Sequence, residues 1–183
     1  MYVSAGGEGA HAEGYGVGTK DSTTGEITYT WGIANGQGSH AEGRSNAYGE
    51  FSHSEGSENS TWGIGAHTGG YQSITGHSPK NSSEAEMSQV SNYGFTHGLG
   101  LLNKSVDAKV VFGKYNTNLS NSIFEIGNGI ADSRSNAFEI LENNNVNIYG
   151  DLSAKSSKFE GTLEATTSIK SPILYLSGTT VKL

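Results

Sequence analysis

The chain has 183 residues, a formal net charge of −7 and no cysteine. The acidic balance argues against a nucleic-acid backbone as partner, since phosphate binding needs clustered Lys and Arg. The absence of Cys excludes disulfides and thiolate metal sites.

Residues 1–20 lack the basic start and apolar middle of a secretory signal, and no apolar run approaches a membrane span, so the chain reads as soluble. Leu, Ile, Val and Phe together make 35 of the 183 residues, 8 of them in residues 1–92 and 27 in residues 93–183. Glycine runs the other way, 18 and then 9, and all 6 His lie between His11 and His97. A first half so poor in large apolar groups cannot build an ordinary core. Narrow stacked coils, sharing core among several chains, fit this composition.

In chain order, Gly6, Gly7, Gly9, Gly14, Gly16 and Gly18 disfavour a helix at the start and favour short strands with tight turns. A turn around Ser22–Gly25 leads into β-prone Ile27–Thr30, which predicts a projecting hairpin over 19–30. Residues 31–70 hold the clearest repeats. His11-Ala12-Glu13-Gly14 recurs as His40-Ala41-Glu42-Gly43 and His53-Ser54-Glu55-Gly56, with His40 to His53 spanning 13 residues and His53 to His67 spanning 14. Such a period, with one or two short strands per turn, is a β-solenoid spacing.

A polar insertion follows at 71–92, with one or two helical turns expected near Ser83–Gln89. Residues 105–150 carry four β-rich runs and predict a small antiparallel meander. Its expected core is Val111, Phe112, Phe124, Ile126, Phe138, Ile140, Val146 and Ile148. Residues 151–183 are thin and polar, and predict a β stem intertwined among several chains. The expected fold is therefore all-β. It comprises trimeric β-solenoid or β-roll repeats over 1–104, the meander over 105–150 and the stem over 151–183.

The repeat word has the shape large-small-large-small, as do Trp31-Gly32-Ile33-Ala34 and Trp62-Gly63-Ile64-Gly65. In a strand, residues i and i+2 share a face. If the words are equivalent, Trp31 with Ile33 and Trp62 with Ile64 form apolar core layers. His11 with Glu13, His40 with Glu42 and His53 with Glu55 then form polar layers, each pair satisfying its own charge. The competing arrangement turns Ala inward and His and Glu toward solvent.

These words resemble the head repeats of trimeric autotransporter adhesins and of bacteriophage tail fibres. Adhesin heads carry Ser-Val-Ala-Ile-Gly with Val and Ile inward, so His40 and Glu42 sit at matching positions but are polar where the adhesin is apolar. Val111–Asn116, Phe124–Gly129 and Arg134–Ile140 are similar to the segment that follows such repeats in phage fibres.

The resemblance implies a homotrimeric, structural and adhesive tail-fibre or receptor-binding protein in a virion. Its implied partners are other tail or baseplate proteins and a host-surface glycan or protein. Tyr29, Tyr71 and Tyr93 would be aromatic receptor contacts. The alternative is the head of a bacterial trimeric surface adhesin. A tailspike glycan depolymerase using Glu84 and Glu86 is disfavoured, because both sit in a polar loop with nothing to raise a carboxylate pKa. No catalytic residue and no cofactor is expected. A threefold set of His40, His53 or His67 is conceivable as a metal site, but each His comes with its own carboxylate, so no metal is expected either.

Overall fold

A computed structural model describes residues 3–77, 91–104 and 106–153, the Tyr29 side chain excepted. The helical turns expected near Ser83–Gln89, and Glu84 and Glu86, lie outside these residues. So does the expected stem, apart from Asp151–Ser153, which are exposed and carry no regular structure. The chain divides into a compact unit, Met1–Asp151, and a second unit, Leu152–Leu183.

The described residues are all β, in seventeen strands. In chain order the first are β1 (Ser4–Ala5), β2 (His11–Glu13), β3 (Val17–Lys20), β4 (Ile27–Trp31), β5 (Ile33–Ala34) and β6 (His40–Glu42). Next come β7 (Arg44–Ala47), β8 (His53–Ser54), β9 (Ser57–Thr61), β10 (His67–Tyr71) and β11 (Ile74–Thr75). The last are β12 (Phe95–Leu99), β13 (Leu102–Asn103), β14 (Val110–Lys114), β15 (Ser122–Asn128), β16 (Asn136–Leu141) and β17 (Val146–Ile148).

Two parallel ladders account for most of them. The first runs β2, β6, β8, β10, β12, β14, β15. The second runs β1, β5, β7, β9, β11, β13. Parallel neighbours need a connection that returns the chain to the same end, and from β2 to β14 that connection carries a strand of the other ladder. The hairpin expected over 19–30 is present as antiparallel β3 and β4. Its turn is held by the Thr23 and Thr24 N–H groups, which both donate to Asp21 Oδ1 at 2.7 Å.

Register aligns the repeat words rung by rung. His11, His40, His53, His67, Phe95, Val110 and Phe124 form one column. Ala12, Ala41, Ser54, Thr68, Thr96, Val111 and Glu125 form the next. This middle column lines the interior of the chain: Ala41, Ser54, Thr68, Thr96, Val111 and Glu125 are all at 0% exposure. Within the single chain, then, the small residue of each word faces in, and His and Glu face out. The expected polar core layers are not layers of the single chain's interior, because alternation along a strand gives the space between the ladders to whichever residue fits its width.

The interior changes composition along the stack. It starts with Ala34, Ala41 and Ala47. It continues through Thr61, Thr68, Thr75 and Thr96, whose hydroxyls follow one another at 2.7 Å. It then widens around Leu101, Val111, Lys109 and Glu125, all fully buried.

The Trp words also need correction. Ile33 is buried and pairs with Asn46, but Trp31 is half-buried and Ile64 is exposed. Backbone bonds from Asn35 to Ala47, Tyr48 to Thr61 and Trp62 to Thr75 align Trp62 with Tyr48 and Asn35, four positions beyond Trp31. Trp62 stacks on Tyr48 at 3.9 Å. The two Trp words thus share a spelling but not a rung, and neither shares a column with the His words.

The meander is smaller than expected. Strands β14 and β15 continue the parallel ladder across 104/105, and within 105–150 only the pairings of β15 with β16 and of β16 with β17 are antiparallel. Of its expected core, Val111 alone is buried. Phe112, Ile126, Val146 and Ile148 are exposed, and Phe124, Phe138 and Ile140 are half-buried. In β15 and β16 the parity is inverted: the charged residues Glu125 and Glu139 are buried, and the apolar residues beside them are not.

Candidate functional site

The outward columns of the first ladder form one continuous face. Its first column holds the four His followed by Phe95, Val110 and Phe124. Its second holds Glu13, Glu42, Glu55, Gly69, His97, Phe112 and Ile126, with Glu55 fixed opposite Gly69 by its N–H bond to the Thr68 carbonyl. Parallel strands lie about 4.8 Å apart, and that spacing is transmitted to the rings. His11, His40 and His53 stack at 4.9 and 4.8 Å with interplanar angles of 3° and 2°. The series continues by tilted contacts from His53 to His67 and on to Phe95, Phe112 and Phe124, and ends edge-on at Phe138.

His11 meets the carboxylate of its own word, Glu13, but the next three His meet that of the preceding rung. His40 Nε2 lies 3.6 Å from Glu13, His53 Nε2 4.0 Å from Glu42, and His67 Nε2 3.3 Å from Glu55. Only the last is within hydrogen-bonding range. Exposure of these side chains runs from 28% at His67 to 64% at His11, so such pairs add little stability to a single chain. Burial, and then the charges of His67 and His40, hold the His53 imidazole below its ordinary 6.5, against the opposing pull of Glu55 and Glu42. Two sets of side chains bring ligand-type atoms within 4.8 Å of one another: His40, Glu42 and His53, and Glu55, His67 and His97.

Of the expected receptor contacts, Tyr71 and Tyr93 are exposed, and the Tyr29 side chain lies outside the described residues. Tyr93 has a further role. It adopts φ +56 in the column of left-handed turn residues that includes Gly38, Phe51 and Gly65, and its ring lies over Gly65.

Sequence reasoning missed two features. One is an open pocket lined by Thr117, Asn128, Arg134, Asn136, Glu139 and Tyr149. It is assembled by the antiparallel return of β16 and β17, and its polar residues show no spacing signal. The other is the buried charge network. Lys109 Nζ donates to Glu125 Oε1 at 2.7 Å and to the Leu119 carbonyl at 2.9 Å. Glu125 also accepts from the Leu119 N–H, Ser122 Oγ and Asn116 Nδ2. Burial pushes the Glu125 carboxyl up, but Lys109 and these donors outweigh it and hold it below its ordinary 4.5.

Comparison with protein-family models, with curated proteins and with solved structures finds no match for this chain. Among the described residues, no helix is long and apolar enough to cross a membrane.

Proposed function

We propose that the chain is a subunit of a homotrimeric phage tail fibre, a β-solenoid whose work is structural and adhesive at the bacterial surface. The observation that carries this reading is the outward face of the first ladder. Nearly all the large apolar side chains of that ladder lie on it, with Phe112 39% and Ile126 38% exposed. The interior is meanwhile filled by Ala, Thr and paired charges. An apolar face continuous with stacked His is costly to leave in water, and identical chains around a threefold axis would cover it. The His–Glu rungs would then become the polar layers of a shared core, with each carboxylate close to an imidazole. The likeness of the repeat words to phage-fibre heads supports the virion setting. Tyr29, Tyr71 and Tyr93, with the segments 19–30 and 71–92, are the proposed host contacts.

Sedimentation and a cell-binding assay test the two halves of the proposal. The expected mass is three times that of the chain, and Phe112→Glu with Ile126→Glu reduces it to one while β-rich circular dichroism is retained. The purified trimer is expected to bind host cells and to block phage adsorption. A monomeric parent protein overturns the assembly, and a trimer that neither binds cells nor competes overturns the adhesive role.

A further inference from the structure

The outward Glu and His columns are interrupted at one rung. Successive rungs of the second column carry Glu13, Glu42 and Glu55, then Gly69, then His97. Gly69 is buried and its φ lies outside the left-handed region, so its backbone would accept any residue. What it supplies is space. A Cβ at Gly69 would fall 2.5 Å from His97 Nδ1 and 3.0 Å from Glu55 Oε1.

The missing side chain opens a niche. Glu55 reaches into it from the rung before and His97 from the rung after. His67, two residues from Gly69 on the same face, forms the third wall. His67 Nε2 lies 3.3 Å and His97 Nδ1 3.9 Å from the same oxygen, Glu55 Oε1.

We propose that Glu55, His67 and His97 of one chain bind a divalent transition-metal ion of the zinc type. Ligand atoms on a tetrahedral zinc ion sit roughly 3.3 Å apart, given bond lengths near 2.0–2.1 Å. The two distances to Glu55 already approach this value, and the two imidazole nitrogens need a modest closure from within 4.8 Å. Two nitrogens and one carboxylate suit zinc, nickel, cobalt or ferrous iron, and disfavour calcium and magnesium, which take oxygen ligands. In the single chain the fourth position opens to solvent, because the His97 side chain is 51% exposed.

The neighbouring set of His40, Glu42 and His53 is built differently. Its two rings are parallel within 2°, so their nitrogens run side by side, and its Glu column has no empty rung. His67 is tilted 55° from His53, which breaks that parallel run at the niche. The site uses three rungs of one chain, so it does not depend on the proposed trimer.

The test is zinc titration of the full chain by calorimetry, with retained metal measured after dialysis and oligomeric mass recorded in parallel. One zinc per chain is expected. Affinity should fall at least about tenfold, the loss typical of even outer-shell changes, in His97→Ala and Glu55→Gln. Gly69→Ala should do the same although it removes no ligand, and His11→Ala should change nothing. Circular dichroism checks that each variant keeps its fold. A parent protein that retains no zinc overturns the proposal. So does one zinc per three chains, or binding lost in His40→Ala but kept in His97→Ala and Glu55→Gln.

Discussion

Lys109 and Glu125 are each fully buried. Taking two charges out of water costs more than their attraction alone returns, so the surrounding hydrogen bonds decide whether the pair holds. Here Glu125 accepts from Lys109, Ser122, Asn116 and the Leu119 N–H. Removing one partner leaves the other charge buried alone. Lys109→Met is therefore expected to lower the unfolding free energy by about 3–5 kcal/mol in urea titration.

The same site sets an acid dependence. The Glu125 carboxyl titrates below its ordinary 4.5 in the fold. The unfolded chain therefore takes up this proton first as pH falls. The stabilisation is fully present above the unfolded value and is lost as pH falls through the folded one. Urea unfolding followed from pH about 5 down to about 3 should show this loss in the parent and a shallower slope in Glu125→Gln.

At the scale of the element, the glycine ending each word is what lets the rungs approach. Gly14, Gly43, Gly56, Gly70, Gly98 and Gly113 all have positive φ, and a Cβ on any of them would overlap the backbone of the next glycine in the column. Gly70→Ala combines a left-handed backbone with a clash against the Gly98 carbonyl, and is expected to cost at least ~2 kcal/mol in denaturant unfolding. Gly9→Asn is the contrast. Its φ is also positive, but nothing lies within 4 Å of the added Cβ, and Asn tolerates this conformation, so little change is expected. Gly14, Gly43 and Gly56 were legible in the sequence, because each ends a His word at a fixed offset. The strands β12, β14 and β15 were harder to assign to the same ladder. Phe95, Val110 and Phe124 replace His in the column, and they share its size and parity but not its letter.

At the scale of the molecule, burial and hydrophobicity are partly uncoupled. The space between the ladders is narrow and takes Ala, Thr, Leu and a satisfied ion pair, while Phe112, Ile126, Val146 and Ile148 remain outside. A single chain therefore leaves much of its apolar side-chain surface in water. This is the physical basis for the proposed trimer and for the choice of Phe112 and Ile126 as the positions to charge. The niche at Gly69 belongs to this scale as well, since its ligands come from segments as far apart as Glu55 and His97.

The sequence by itself determined the class and the period: all-β, with a turn of 13 or 14 residues between His words, closed by glycine. Local rules suffice there, because alternation and turn geometry act over a few residues. It also marked the hairpin of β3 and β4 through its turn residues. Which side of each strand faces in was decided only by the tertiary structure. A strand offers two faces of equal geometry, and the width between the ladders selected Ala41 over His40 and Glu125 over Phe124. The alignment of Trp62 with Tyr48 rather than with Trp31 has the same origin. Rungs are counted along hydrogen-bonded ladders, and a sequence with insertions does not display that count.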